Sequence, residues 1–368
     1  MAYTTIDDPS KHFQTAIYTG SDDAAATKVV TNDGNSNLQP DWLWFKRRNG
    51  VANHSLQDTS RGIGNGISSS TNGVEVNDDF GVTAIGSDGF SVRENTSAAG
   101  EINQGSMVCW QWKANGGTTT TNDASSTGVG TIDSVIQANT EAGFSIVLYT
   151  GNATDNAQFA HGLGATPEWI VLKNRDTAVN WSMGHTDFMG ASAENIRWDT
   201  SAALAAASSE AGSHFSRNAP SSTVVTLGNG AGGDYSTDIN QADAHVAYCF
   251  RSVQGYSKIA TYVGNGNADG PFVYTGFKPA WFTTHKSTGN NWIIMDNKVS
   301  PGNPSSTYNR SDTNEAEGTS GLDIDILANG FKIKSASAAV NTVNVKYYFM
   351  AFAEHPFVSS KGVPVTAR

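Results

Sequence analysis

Three short segments of the chain alternate bulky and small side chains: Val108 to Trp112, Val246 to Phe250 and Tyr348 to Phe352. Successive side chains of a strand point to opposite faces. One face then carries Val108, Trp110 and Trp112, with counterparts Val246, Tyr248, Phe250 and Tyr348, Met350, Phe352. The other carries Cys109 and Gln111, then Ala247 and Cys249, then Phe349 and Ala351. The bulky face is assigned to the core. A second pattern is apolar on both faces: Trp42-Leu43-Trp44-Phe45 and Trp169-Ile170-Val171-Leu172. It predicts a strand covered on both sides, by a long loop, a neighbouring part of the chain or another subunit. Lys46 and Arg47, or Lys173, are expected to carry the strand end back into water. The one stretch that predicts helix is the alanine-rich Ala202 to Ala211.

These patterns recur in a fixed order. Tyr18-Thr19-Gly20, Tyr149-Thr150-Gly151 and Tyr262-Val263-Gly264 are followed by Pro40-Asp41-Trp42, Pro167-Glu168-Trp169 and Pro279-Ala280-Trp281. Next come His54 to Asp58, Trp181 to His185 and Trp292 to Asp296, and each unit closes on one of the alternating strands. Units one and two share Ile-Asn-Gln at 102–104 and 239–241; units one and three share a Gly-Phe turn at Gly89-Phe90 and Gly330-Phe331. The tyrosines lie 131 and then 113 residues apart (149−18, 262−149), too long for a solenoid repeat and long enough for a domain.

Asp-Gly and Asn-Gly turns between short strands make antiparallel hairpins. The expected architecture is all-β, three tandem antiparallel β-sandwiches of jelly-roll type. Residues 1–115 form the first repeat, 143–256 the second and 257–368 the third. The stretch 116–142, which opens Gly116-Gly117-Thr118-Thr119-Thr120-Thr121-Asn122, reads as a flexible polar linker and lead-in. The second and third units abut at Gly255-Tyr256-Ser257 and are expected to pack as a rigid pair.

The net charge is −11, with 38 glycines and only 15% charged residues among 368. An acidic chain lacks the basic stripe of a nucleic-acid binder. The start, Met1-Ala2-Tyr3-Thr4, does not read as a signal peptide. The longest apolar run, Tyr347 to Ala353, is far short of a membrane span. Synthesis in a cytoplasm without membrane insertion is expected. Cys109 and Cys249 occupy non-equivalent positions in different units and read as buried free thiols.

The opening Asp8-Pro9-Ser10-Lys11-His12-Phe13-Gln14 with Ile17-Tyr18-Thr19-Gly20, and Gln39-Pro40-Asp41-Trp42-Leu43-Trp44-Phe45-Lys46, resemble repeat-containing virion proteins of tailed phages, marine ones especially. So do Ala142 to Gly151, His161 to Pro167, Gly264 to Phe277 and the ending Tyr348 to Glu354. The resemblance covers nearly the whole chain. It implies a structural component of the particle, usually described as tail or tail fibre, and it transfers no catalytic residues. On this reading the chain resides in the virion and assembles as a homo-oligomer. Its expected partners are its own copies, neighbouring virion proteins and a host-surface glycan or receptor. The alternatives are a carbohydrate-binding adhesin module and a capsid-decorating head fibre.

The chemistry-bearing residues do not assemble into a catalytic, cofactor or metal signature. No two of the eight histidines sit four apart on a helix, and His-Glu-x-x-His and Gly-x-Ser-x-Gly are absent. His161 reads as a turn residue. His185 with Asp187 has the residue types of a metal site but reads as a surface loop. Asp58, His185 and Asp296 hold similar positions and read as polar strand ends. Gly264-Asn265-Gly266 precedes the strand-like Phe272-Val273-Tyr274, where a dinucleotide loop needs a helix, and Gly228-Asn229-Gly230 near Asp234 fails likewise. Asp323 and Asp325 could form a hydrolase carboxylate pair. Calcium could find oxygen ligands in the Asn/Asp/Gly-rich loops, although the EF-hand pattern is missing. Trp42, Trp169 and Trp281 recur at one position and read as core, whereas Trp198, in an unpaired insertion, is the surface candidate for stacking on a sugar.

Overall fold

The computed structural model describes residues 3–21, 23, 26–77, 81–93, 101–190, 194–206, 215, 218–228 and 237–365. The protein is all-β and built from antiparallel sheets. The first unit holds β1 (Phe13–Thr19), β2 (Lys28–Thr31), β3 (Trp42–Arg47), β4 (Ser55–Asp58), β5 (Asn65–Gly66), β6 (Val76–Asn77), β7 (Val82–Gly86), β8 (Gly89–Val92) and β9 (Ser106–Trp112). The second holds β10 (Thr120–Asn122), β11 (Ser134–Asn139), β12 (Phe144–Thr150), β13 (Ala157–Ala160), β14 (Trp169–Asn174), β15 (Ser182–His185), β16 (Glu194–Arg197), β17 (Ala205–Ala206), β18 (Val224–Leu227) and β19 (Ala244–Phe250). The third holds β20 (Ser257–Val263), β21 (Phe272–Tyr274), β22 (Phe277–Lys286), β23 (Ile293–Asp296), β24 (Tyr308–Arg310), β25 (Ile324–Leu327), β26 (Gly330–Ile333) and β27 (Lys346–Pro356).

Each unit is a sandwich of a large and a small sheet. The large sheets run β1-β9-β3-β4, β10-β11-β12-β19-β14-β15-β16-β17 and β20-β27-β22-β23-β24. The small ones run β2-β8-β7, β13-β18 and β21-β26-β25. The first, Trp and closing strands share the large sheet in every unit, while the chain between them crosses to the small one, as in a jelly roll. In each large sheet the closing strand lies between the first strand and the Trp strand, for example Thr15↔Trp110↔Trp44.

The two faces of the closing strand have separate duties. The small-residue face looks into its own sandwich: Cys109 packs with Leu43, Phe45 and Phe90, and Cys249 with Val147, Ile170 and Phe159. The bulky face looks out of its sandwich and into the other two. Trp110, Trp112, Tyr248, Phe250, Met350 and Phe352 join Trp42, Trp169 and Trp281 in one central core. The bulky face is thus core, as expected, but the core belongs to no single unit. Trp42 stacks on Tyr248 of the second unit (centroids 4.5 Å apart), and Trp112 meets Trp281 of the third edge to face (5.5 Å). The second cover of the doubly apolar Trp strand is therefore the neighbouring units.

Four expectations are corrected. The segment 116–142 carries β10, a one-turn helix α1 (Ala124–Thr127) and β11, and the two strands extend the second large sheet. Its polar side chains suit an edge strand, which is held by backbone hydrogen bonds rather than by apolar burial. The first unit accordingly shares the central core with the abutting second and third. Lys46 and Lys173 do not return to water; both are fully buried. The Lys46 ammonium donates to the carbonyls of Ala52 (2.9 Å), Arg47 (3.0 Å) and Asn314 (3.3 Å), and Lys173 to that of Asn174 (2.7 Å). Burial pushes both lysines down to about 8. In the alanine-rich stretch, Ala205–Ala206 is a strand paired with β16, and residues 207–211 lie outside the described residues.

Candidate functional site

The tyrosine and glycine that open each repeat close a latch. The hydroxyl of Tyr149 donates to the Ile239 carbonyl (2.7 Å), that of Tyr262 to the Val340 carbonyl (2.9 Å), and Tyr18 bonds Ile102 in the same way. A Cβ on Gly20 would lie 2.2 Å from the Asn103 carbonyl carbon, on Gly151 2.0 Å from the Gln241 oxygen, and on Gly264 2.3 Å from the Thr342 oxygen. Only glycine allows that backbone approach. Buried Asn103, Asn240 and Asn341 complete the latch. Their amide oxygens accept from the backbone N–H of Ser21 (3.1 Å), Asn152 (3.1 Å) and Asn265 (2.7 Å). Sequence reasoning matched only two of these asparagines. The signal for the third was Val340-Asn341-Thr342, a conservative form of Ile-Asn-Gln.

The recurring polar positions Asp58, His185 and Asp296 face the Trp strand across one register, opposite Trp42, Trp169 and Trp281. Each is the last residue of its strand, as expected, and all three are buried at unit junctions. Asp58 accepts from the Tyr248 hydroxyl (2.7 Å) of unit two and pairs with buried Arg61. Asp296 accepts from Trp110 Nε1 (2.9 Å) and Thr15 Oγ1 (2.6 Å) of unit one. His185 packs on Tyr348 of unit three, with ring centroids 5.1 Å apart. The substitution has a reason. Where the closing strand offers a donor, Tyr248 or Trp110, the neighbour supplies a carboxylate; where that position is Met350, which has no donor, the neighbour supplies the His185 ring, which rests on Tyr348. Burial raises the Asp296 carboxyl and pushes His185 down to about 4.

A second set of contacts runs the other way round. Trp44 Nε1 donates to His54 Nδ1 (2.8 Å), leaving Nε2–H to donate to the Arg310 carbonyl of unit three (2.8 Å). Trp181 Nε1 donates to the Ser68 carbonyl of unit one (2.8 Å), and Trp292 Nε1 to the Arg197 carbonyl of unit two (3.3 Å). Such cycles of equivalent contacts describe three like units closed around a common axis.

The remaining candidates do not converge. His161 is buried, accepts from the Leu163 N–H (3.2 Å) and is pushed by burial down to about 4. Asp187 pairs with Lys346 of unit three (2.7 Å), so the His185 loop is a junction and not a free surface loop. Trp198 is not at the surface; it is 1% exposed, edge to face with Trp44 (4.9 Å) and Trp181 (5.3 Å). Asp323 and Asp325 stay half-buried at the outer side of the small sheet, with Asp325 opposite Lys332. The Gly264 loop leads into β21, and residues 229–236 lie outside the described residues, as does His214. Both cysteines are buried free thiols. Among the described residues no group of three His, Cys, Asp or Glu could hold a metal ion, and no helix is long and apolar enough to cross a membrane.

Open space lies at the unit junctions. A cleft of about 340 Å³ between units one and three is lined by Phe13, Gln14, Thr15, Ala280, Asn297 and Lys298, among others. The Lys298 ammonium donates to the Thr15 carbonyl (2.8 Å) and pairs with Asp33, while Lys278 pairs with Glu354 (2.7 Å). These groups can hydrogen-bond a polar ligand. A more open cleft of about 820 Å³ between units one and two is lined by His12, Asn37, Lys113, Asn139 and Glu141.

No curated protein and no solved structure matches the chain. A family model does match, over residues 8–356, and so spans all three sandwiches. The chain belongs to the family described as "Domain of unknown function (DUF7483)".

Proposed function

We propose that this chain is a structural subunit of a tailed-phage particle, of the tail or tail fibre, that assembles with its own copies and neighbouring virion proteins and meets the host surface. It performs no catalysis in this reading. The observation that carries it is that the recurring residues are spent on packing: the latch closes each sandwich, and the junction carboxylates and the tryptophans hold the three on one core. Such a block is rigid, as a building part must be. The resemblance of the repeat motifs to phage virion proteins supports the same reading. Electron microscopy of particles carrying a labelled chain tests it, with label expected on the tail. Label on the capsid shell would favour a head fibre, and unlabelled particles would sink the reading.

One observation favours a carbohydrate-binding module as a second reading. Phe272 and Tyr274 lie on the outer face of the third small sheet and are 45% and 56% exposed. Their counterparts in unit one are Val29 and Thr31, since Val30↔Phe90 repeats Val273↔Phe331. Exposed aromatic pairs stack on sugar rings, and these belong to one unit alone. A glycan array should then give binding that Phe272→Ala with Tyr274→Ala removes; a blank array would end this reading.

A further inference from the structure

In the second sandwich, strand β11 covers the edge of β12, with Gln137 opposite Ile146. Gln137 then reaches into the first unit. Its Nε2 donates to Asp41 (2.8 Å), and its Oε1 accepts from the hydroxyls of Ser60 (2.7 Å) and Thr59 (3.1 Å). The repeat shows where this arrangement recurs. Phe13 and Thr15 face Trp112 and Trp110 as Phe144 and Ile146 face Phe250 and Tyr248, so β1 is the counterpart of β12. The counterparts of Asp41, Thr59 and Ser60 follow from Asp58 and Asp296; they are Ala280, Asn297 and Lys298. All three line the cleft between units one and three, together with Phe13 and Thr15.

That cleft is the β11 position repeated, and among the described residues no strand pairs with the outer edge of β1. The bond from Lys298 Nζ to the Thr15 carbonyl shows that this peptide faces the cleft. Alternation along an antiparallel strand turns the peptides of Phe13 and Ile17 the same way.

We propose that the cleft is a docking edge for an extended strand of another polypeptide, one bearing a carboxylate or amide side chain at the position of Gln137. Backbone hydrogen bonds to β1 supply the affinity, as when a strand is added to a sheet edge. An incoming N–H takes over the Thr15 carbonyl and frees the Lys298 ammonium for the side chain. Ala280 stands where Asp41 stands in the filled junction. The facing donors are held by carboxylates of the cleft rim, Lys298 by Asp33 and Asn297 by Glu354 (2.6 Å), which the incoming carboxylate or amide displaces. The inference goes beyond the virion reading and is tested independently of it.

The test uses the full chain and two labelled peptides, one with the sequence of residues 131–141 and one with glutamate at the Gln137 position. Fluorescence anisotropy should show saturable binding of both, tighter for the glutamate peptide. Hydrogen exchange should show new protection at Phe13, Thr15 and Ile17. Ile17→Pro removes an outward N–H while sparing the β9 ladder. It should weaken binding roughly tenfold, about the worth of one hydrogen bond, with circular dichroism unchanged. Lys298→Ala should abolish the preference for glutamate, which keeps the test valid if Ile17→Pro unfolds. Absence of binding up to ~1 mM (a Kd weaker than about −4 kcal/mol) overturns the proposal. So does protection at β12 or another edge, pairing of β1 with β1 of a second copy, or a glutamate preference that survives Lys298→Ala.

Discussion

Tyr149, Gly151 and Asn240 illustrate how a recurring motif acts from the interior. The tyrosine hydroxyl bonds the Ile239 carbonyl, the Asn240 amide bonds backbone groups of Asn152 and Gly228, and the glycine lets residues 239–241 approach. Gly151→Ala should therefore destabilise by about 1–3 kcal/mol through overpacking, measured by denaturant melts. Tryptophans differ by their partners. Trp110 Nε1 donates to Asp296, whereas the buried Trp42 Nε1 has no acceptor among the described residues. Trp110→Phe leaves a buried carboxyl one donor short, about 1–3 kcal/mol, and should cost more than Trp42→Phe. Titration has a definite sign as well. His161, His185, His245 and His285 are each pushed by burial down to about 4. Neutral in the fold and protonated when unfolded, they contribute stability above about pH 6.5 that is lost as pH falls toward 4. Burial raises Asp199 and Asp312 to about 6, which acts in the opposite sense between 3.8 and 6. Burial also lowers His12 and His54 and raises Asp41 and Asp296, and six histidines against four carboxyls predict a lower melting temperature at pH 5 than at pH 7, with a smaller difference in His285→Gln.

At the level of elements, alternation along the closing strands and the double apolarity of the Trp strands were legible because a strand's period of two leaves no other reading. The linker was not legible. Gly116 to Asn122 has almost no apolar side chain, yet β10 and β11 form because β12 offers an open edge. Gln137 and Asp41 tie this addition to the first unit, and Asp41 also accepts from the N–H groups of Ala114, Gly116 and Gly117 (2.7, 2.8 and 2.7 Å). Amides of residues 134–139 should therefore exchange slowly, in contrast to a flexible tether, and Gln137→Ala should speed their exchange. Rapid exchange in the intact protein would show that the strand is not held.

For the whole molecule, the division of labour between sheet faces predicts cooperativity. The bulky faces of all three units meet in one core, so removing a unit exposes tryptophans of the other two. The full chain should unfold in one calorimetric transition, and residues 257–368 expressed alone should expose Trp281 and aggregate or bind hydrophobic dyes. Three separate transitions would mean that the units are stable domains merely tethered together.

By itself the sequence determined the triplication, the all-β class and the identity of the core residues, because these depend on local period and composition. It could not decide which way the bulky faces look, since either face of a doubly buried strand satisfies the same pattern. Nor could it show that Lys46, His185 and Trp198 are buried, because burial of polar or isolated residues depends on carbonyls, rings and carboxylates brought from other units. The tertiary structure decided that the three sandwiches close on one another, and the unequal filling of their junctions left β1 with an open edge.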